Sequence, residues 1–372
     1  MSIETTMTRA WQRQAAWLWL LLPVSWLYGF ITMVRRQAYQ VGLFSSYRAP
    51  IPLMVIGNIT VGGSGKTPLI IALVTHLQKQ GIKVGVISRG YGGDSNQMPT
   101  LVRADSLPSI VGDEPCLIVN MTGAAMAVCP NRKQAITTLL NAHPDLQLII
   151  ADDGLQHYAL QRDIEWIVVD ASRGFGNQQL LPTGFLREPM SRLTGANVVY
   201  HEKADRTTKD NKQAKAKRLT MYLQADELQI LWPSAVEIDG LSVAAKTLMP
   251  PIPNGRVHAV SGIGYPQRFF DTLMALGFDV IGHAYPDHYD FSLDELLQYS
   301  ELPIIVTSKD AVKIRALLIN MSSRQPLNDE YQELVHRLWV LPVTAVLSDG
   351  CYVSLQQQLK ALNINLSKST KA

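Results

Sequence analysis

One glycine-rich stretch, Thr60-Val61-Gly62-Gly63-Ser64-Gly65-Lys66-Thr67, constrains this chain more than any other segment. It stands between an apolar run at 53–56 and a segment, 66–80, whose apolar residues recur at helical spacing. A strand that enters a helix through so many glycines can turn backbone N–H groups inward, where side chains would block a bound anion. The first turn of that helix adds about half a positive charge. Lys66 can then reach the outer phosphates of a triphosphate, and the Thr67 hydroxyl can ligate Mg²⁺. Pro68 suits the first helical turn, where its missing N–H is not needed. The strict form of this pattern has glycine where Thr60 stands; the rest is intact. Residues 60–67 therefore read as a nucleotide-phosphate loop.

The rest of the chain alternates in the same way. Apolar runs at 83–88, 125–128, 146–151, 164–169 and 196–200 read as strands, with a helix over 132–142. Strand–helix alternation predicts an α/β fold, a P-loop parallel sheet with helices on both faces. A polar, Lys-rich stretch at 201–218 reads as a solvated face or linker, followed by short strands at 221–223 and 228–232. Alternation resumes with strands at 257–260, 280–283 and 304–307 and helices at 267–276 and 293–299. That predicts a second, smaller α/β domain. The expected divisions are 1–44 for an N-terminal apolar helix, 45–210 for the P-loop domain and 211–250 for a linker with short strands. The second domain is expected over 251–350, and a C-terminal helix and tail over 351–372.

Residues 148–153 form an apolar strand ending in Asp152 and Asp153. A strand tip in a P-loop sheet delivers a carboxylate to the metal shell. Adjacent residues point to opposite sides of a strand, so either Asp152 or Asp153 could hold the metal. Gln156 and His157 continue past this point and put an amide and an imidazole beside the γ-phosphate. Arg89 follows the strand at 83–88, Asp113 and Glu114 open a helix, and Leu181 to Pro189 form a loop. His288 lies in Tyr285-Pro286-Asp287-His288-Tyr289, and Lys309 in Thr307-Ser308-Lys309-Asp310. Some resemblances are superficial. Gly262-Ile263-Gly264 lacks the third glycine of a dinucleotide fingerprint, Gln267 standing there, and Lys309 is one place late for a guanine-reading loop. Asp113 could also cap a helix, and His288 could sit in a plain surface turn.

With 34 basic and 31 acidic residues the net charge is +3, too balanced to imply a nucleic-acid partner, and none is expected. The three cysteines, Cys116, Cys129 and Cys351, are far apart and read as buried thiols of a reducing compartment. Residues 14–34 carry no charge and are flanked by Arg9, Arg13, Arg35 and Arg36. At ~1.5 Å per residue such a helix covers roughly the thickness of a bilayer core. Trp17, Trp19, Trp26 and Tyr28 favour the headgroup level, and Pro23 interrupts the run. Membrane association follows; spanning and shallow insertion both stay open.

Taken together these segments resemble the tetraacyldisaccharide 4′-kinase family, the lipid A 4′-kinases. The resemblance covers about 47–362 and is carried by the stretches at 57–68, 88–93, 112–115, 151–157, 181–189, 261–266, 285–291 and 307–313. It implies ATP and Mg²⁺ as cofactors, and transfer of the γ-phosphate to the 4′-hydroxyl of a tetraacylated glucosamine disaccharide 1-phosphate. By the same resemblance residues 60–67 bind ATP and Asp152 or Asp153 helps bind Mg²⁺. Asp113 paired with His288 is the base, beside Lys66 in the catalytic set, and Arg89, Gln156 and His157 contact disaccharide or phosphates. Phe185 and Ser308 depart from the family's usual proline and acidic residue. An acylated substrate rarely leaves the bilayer, since each buried CH₂ contributes about 0.8 kcal/mol. The kinase must meet it at the inner membrane, with its catalytic domains on the ATP-containing cytoplasmic face and no obligatory protein partner evident. The alternative from another class is a membrane-cycling P-loop switch ATPase acting on a protein partner. A soluble P-loop synthetase is opposed by the segment at 14–34.

Overall fold

The computed structural model describes residues 3–203, 218–232, 249–299, 301–323 and 326–364. The apolar runs become strands buried on both faces. β1 (Leu53–Gly57), β2 (Val84–Ser88) and β5 (Leu148–Asp152) are buried at every position. Along β1, Met54 and Ile56 enter one core cluster and Leu53 and Val55 the opposite one, the two-residue period of a pleated strand. β3 (Thr100–Val102), β4 (Ala125–Val128), β6 (Ile164–Asp170), β7 (Asn197–His201), β8 (Leu219–Ala225) and β14 (Val343–Leu347) complete a nine-stranded sheet. Its order is β14-β8-β7-β6-β1-β5-β2-β4-β3. The strands from β8 to β4 are parallel, and β14 and β3 are antiparallel edges.

A second sheet of five strands has the order β11-β10-β12-β13-β9. It contains β9 (Gln229–Ile230), β10 (Arg256–Ser261), β11 (Asp279–Ala284), β12 (Ile304–Thr307) and β13 (Leu338–Leu341), all parallel except β9. The helices in chain order begin with α1 (Ile3–Gln12), α2 (Leu22–Gln40), α3 (Lys66–Lys79) and α4 (Pro108–Val111). They continue with α5 (Asp113–Thr122), α6 (Arg132–Ala142), α7 (Pro266–Ala275) and α8 (Leu293–Leu297). The last are α9 (Ser308–Ser322), α10 (Asp329–Arg337) and α11 (Asp349–Ala361). The predicted architecture, a P-loop parallel sheet covered on both faces with a smaller α/β unit beside it, is the one observed. The helix expected to reach 299 stops at Leu297.

The chain path is less simple than a succession of segments. β8 joins the large sheet and β9, a few residues later, the small one. Only Pro342 separates β13 of the small sheet from β14 of the large one, and its carbonyl accepts from Asp226 N at 3.0 Å. Residues 349–361, divided in sequence between the end of the second domain and a C-terminal helix and tail, form α11 against the large sheet. Cys351, Leu355 and Leu359 enter the same core as α3, and Trp166 Nε1 donates to Gln358 Oε1 at 2.9 Å. Residues 204–217, the body of the Lys-rich stretch, lie outside the described residues, as do 233–248 and 365–372. All three cysteines are buried and free.

At the N-terminus, residues Ala16–Gln40 form a helix of 25 residues, an 18-residue window of which has mean hydropathy 1.6, long and apolar enough to cross a membrane. Pro23 does not interrupt it as expected: it occupies the first turn of α2, after a 3₁₀ segment at Ala16–Leu21. Trp26, Leu27, Phe30 and Ile31 project outward and are exposed. The opposite face is docked. Ser25 Oγ donates to Thr183 Oγ1 at 2.8 Å and Tyr28 OH to Arg187 O at 3.1 Å, while on the preceding α1 Trp11 Nε1 donates to Pro182 O at 2.9 Å.

Candidate active site

Parallel strands bring the carboxyl ends of β1, β2, β5, β6 and β7 to one edge of the large sheet, where α/β folds bind ligands. A cleft of about 2400 Å³ opens there, and the small sheet's loops close its other side. Residues 61–67 line it, with Arg89, Asp152, Asp153, Gln156, His157 and His288. Thr60 lies behind the loop, buried, in an isolated bridge with Leu186.

Gly65 has φ +94° at the start of α3, and a Cβ there would sit 2.7 Å from His201 Nδ1. Only glycine serves at that position. Lys66 Nζ donates to Asn58 Oδ1 at 3.2 Å and pairs with Asp153 Oδ1 at 3.4 Å. From the small sheet, the Gly262–Tyr265 loop comes down on the phosphate loop so closely that a Cβ on Gly264 would be 3.0 Å from Gly63 N.

The two aspartates have different surroundings. Asp152 is buried; its Oδ2 accepts from Ser88 Oγ at 3.3 Å, and its Oδ1 has no hydrogen-bond partner. Burial, then the Glu114 carboxylate, pushes its carboxyl up to about 7, against the pull of Lys66. An unpartnered buried carboxylate oxygen opening on a phosphate loop fits a divalent cation. Asp153 is instead engaged by Lys66 and by Arg187 Nη1 at 3.1 Å. Although burial acts to raise it, those two cations hold its carboxyl well below the usual range. Its φ of +46° turns it away from the strand direction. Arg132 ties the tips of β4 and β5 together, donating to Cys129 O and to Asp152 O, each at 3.1 Å.

At the far wall of the cleft, His288 from the loop after β11 lines the cavity and meets Asp113, which is buried just behind the wall at the start of α5. His288 Nδ1 lies 3.1 Å from Asp113 Oδ1 and 3.0 Å from Oδ2. Lys313 Nζ stands 3.3 Å from Asp113 Oδ2. Burial would raise the Asp113 carboxyl, but the His288 hydrogen bond, Lys309 and Lys313 outweigh it and keep it well below the usual range. The large-sheet side thus supplies a carboxylate and the small-sheet side an imidazole, 175 residues apart in sequence.

A sequence profile described as Tetraacyldisaccharide-1-P 4′-kinase matches residues 17–360. A Psychrobacter arcticus protein named Tetraacyldisaccharide 4′-kinase is 73% identical over 99% of this chain and 98% of its own length. A protein of the same name from Stutzerimonas stutzeri is 43% identical over 85% of this chain and 90% of its own. The chain belongs to the tetraacyldisaccharide 4′-kinase family. A solved structure described as the "apo" form of LpxK from Aquifex aeolicus in complex with ATP has a similar fold. Its TM-score is 0.65 at 23% identity, covering 93% of this chain and 99% of that one.

Membership makes the chain a phosphotransferase acting on a hydroxyl group, with ATP and Mg²⁺ as cofactors. The switch-ATPase alternative is not favoured. Of the substrate candidates, Arg89 is exposed on the cleft wall. His157 also faces the cleft, and burial and then Arg132 push its imidazole down to about 4, so it is neutral. Gln156 is already engaged: Nε2 donates to Asn58 O at 3.0 Å and Glu188 Oε1 at 2.7 Å, and Oε1 accepts from Arg187.

Arg187 lies in the 181–189 loop, where the sequence alone does not single it out. Its guanidinium spans Asp153, Gln156, Asn58 and the Thr60 carbonyl. Arg268 on α7 is a second omission: it pairs with buried Asp170 at 2.6 Å and touches His201, which accompanies the phosphate loop. No local pattern marks Arg268; for Arg187 the signal was the arginine within Leu186-Arg187-Glu188-Pro189.

Proposed function

We propose that the cleft transfers the γ-phosphate of ATP to the 4′-hydroxyl of a tetraacylated glucosamine disaccharide 1-phosphate. The observation that carries this reading is the Asp113–His288 pair, assembled from the two sides of the cleft that the phosphate loop opens on. Backbone amides of residues 61–65 and the Lys66 ammonium bind the β- and γ-phosphates; Thr60, behind them, fixes the loop. Thr67 and Asp152 are the residues that would hold Mg²⁺, with Asp153 kept apart from it by Lys66 and Arg187. Mg²⁺ held there would supply charge stabilisation to the transferring phosphate.

Asp113 and His288 act on the acceptor. The 4′-oxygen bonds to the γ-phosphorus and the bond from that phosphorus to the β–γ bridging oxygen breaks. ADP leaves, and the hydroxyl proton passes to the Asp113–His288 pair. Arg89 and His157 face the disaccharide and its phosphate. Gln156 serves the same surface by fixing Arg187 beside the transferring group.

An apolar N-terminal helix supports membrane association, and its docked face supports an orientation along the membrane surface. A helix tied through Ser25 and Tyr28 to the 183–187 loop, with Trp11 of α1 held at Pro182, presents only its free side to lipid. With ATP as donor, this supports a cleft that works on the cytoplasmic face of the inner membrane. The test is incubation with γ-labelled ATP and tetraacylated disaccharide 1-phosphate in detergent micelles. Label in an organic-soluble product, lost in Asp113→Ala and His288→Ala, supports the reading; label released only as inorganic phosphate removes it.

A further inference from the structure

Three carboxylates crowd the place where the two sides of the cleft meet: Asp113 and Glu114 at the start of α5, and Asp287 beside His288. Like charges so close oppose the approach of the two sides. Lys309, in the first turn of α9, sits among them. Its Nζ is 3.1 Å from Glu114 Oε1, 3.2 Å from Asp287 Oδ1, 3.2 Å from His288 Nε2 and 4.0 Å from Asp113 Oδ2. Lys313 lies one helical turn further along the same face and takes Asp113 Oδ2 and the Tyr289 carbonyl.

The contacts fix the state of the imidazole. An ammonium has no lone pair, so in the Lys309–His288 contact Nζ donates and Nε2 accepts. The ring proton then sits on Nδ1, where it donates to Asp113. We infer that Lys309 is a positioning residue of the phosphoryl transfer: one largely enclosed ammonium ties Glu114 of the large-sheet side to Asp287 and His288 of the small-sheet side, and holds His288 in the tautomer that pairs with Asp113. The inference rests on reading Asp113–His288 as the base.

The charged and titratable surroundings are set by four segments. Asp113 and Glu114 come from α5, and Asp287 and Tyr289 from the loop that carries His288. Lys309, Lys313 and buried Asp310 come from α9, with Asp310 held by Gly262 N and Thr307 Oγ1. Tyr91, after β2, places its ring 4.8 Å from His288. Lys309 and Lys313 are the cations in this set.

The test compares wild type, Lys309→Met, Lys309→Arg and His288→Ala in pH–rate profiles, with ATP affinity measured in each. Lys309→Met is expected to lower kcat about tenfold or more. Loss of the neighbouring cation also moves the acid limb upward by about one pH unit. Affinity for ATP stays at the wild-type value, and Lys309→Arg, which keeps the charge, leaves the limb in place. An unchanged kcat and limb in Lys309→Met, or a drop uniform across pH with the limb unmoved, overturns the inference. His288→Ala separates the failures. Wild-type turnover there removes the base reading itself, whereas strong loss there beside a wild-type Lys309→Met removes the role of Lys309 alone.

Discussion

Lys66 and Asp152 answer to different losses. Lys66 reaches Asn58 and Asp153 and is the cation of the phosphate loop. Lys66→Ala is expected to lower kcat/KM by about 10²–10³, the scale for removing one preorganised donor, measured by steady-state kinetics. Asp152 carries the unpartnered oxygen, so Asp152→Asn should raise the Mg²⁺ concentration for half-maximal rate about tenfold or more. Asp153→Asn should leave that concentration nearer wild type and instead lower kcat, because it releases Lys66 and Arg187; Mg²⁺ titrations of initial rate separate the two. Asp310 allows a stability prediction. Burial raises its carboxyl to about 6, against hydrogen bonds from Thr307 and Gly262 that lower it. A folded pKa above the unfolded one stabilises fully below about pH 4, and that contribution is lost as pH rises through about 6. Asp310→Asn should therefore flatten the fall in Tm between pH 4 and pH 7, read by thermal unfolding at each pH. The phosphate loop and the aspartate pair were legible in the sequence because each is a contiguous run with its own chemistry. Arg187 and Lys309 were not, because their partners Asn58 and Glu114 are 129 and 195 residues away.

Among the elements, the buried parallel strands were the most legible, since a strand covered on both faces must be apolar throughout. β14 and α11 were harder to assign: their sequences read as any amphipathic strand and helix, and only the return across Pro342 determines which sheet they serve. The N-terminal helix shows the same limit. Its hydropathy was plain, but the polar contacts of Ser25 and Tyr28 that fix one face to the 183–187 loop come only from the fold. The outward face carries Trp26, Leu27 and Phe30, all more than half exposed. A side chain of that size gains about 1.5–3 kcal/mol on burial in an apolar phase. Replacing all three by Ser should move the protein from the membrane pellet into the supernatant on sedimentation, while Tm changes little because these side chains have few protein neighbours. The same docked loop carries Arg187, so the apolar N-terminal helix and the cleft share one support.

At the scale of the whole molecule, the described chain passes between the two sheets only at 225–229 and 341–343, a narrow neck beside a wide cleft. Contacts across the cleft, rather than the neck, must then hold the two sides together. Arg268 makes one of them: it extends from α7, beside the small sheet, to Asp170 at the tip of β6, 2.6 Å away. Asp170 is almost fully buried, while the Arg268 side chain keeps about a quarter of its surface exposed. Breaking a fully buried pair costs about 3–5 kcal/mol; solvent around the guanidinium brings the expected loss here to about 1–2 kcal/mol. That loss falls on the closed arrangement, since the pair joins the two sides and neither sheet alone contains it. A change of 1–2 kcal/mol is about a 5- to 30-fold shift in an equilibrium. Arg268→Ala is therefore expected to raise KM for ATP by about that factor, to enlarge the radius of gyration without nucleotide, and to leave kcat at saturating ATP within about twofold. Kinetics and small-angle scattering together decide it, because a lost phosphate contact would change KM with no change in size. Saturating ATP restores the wild-type radius if Arg268 acts by holding the cleft closed.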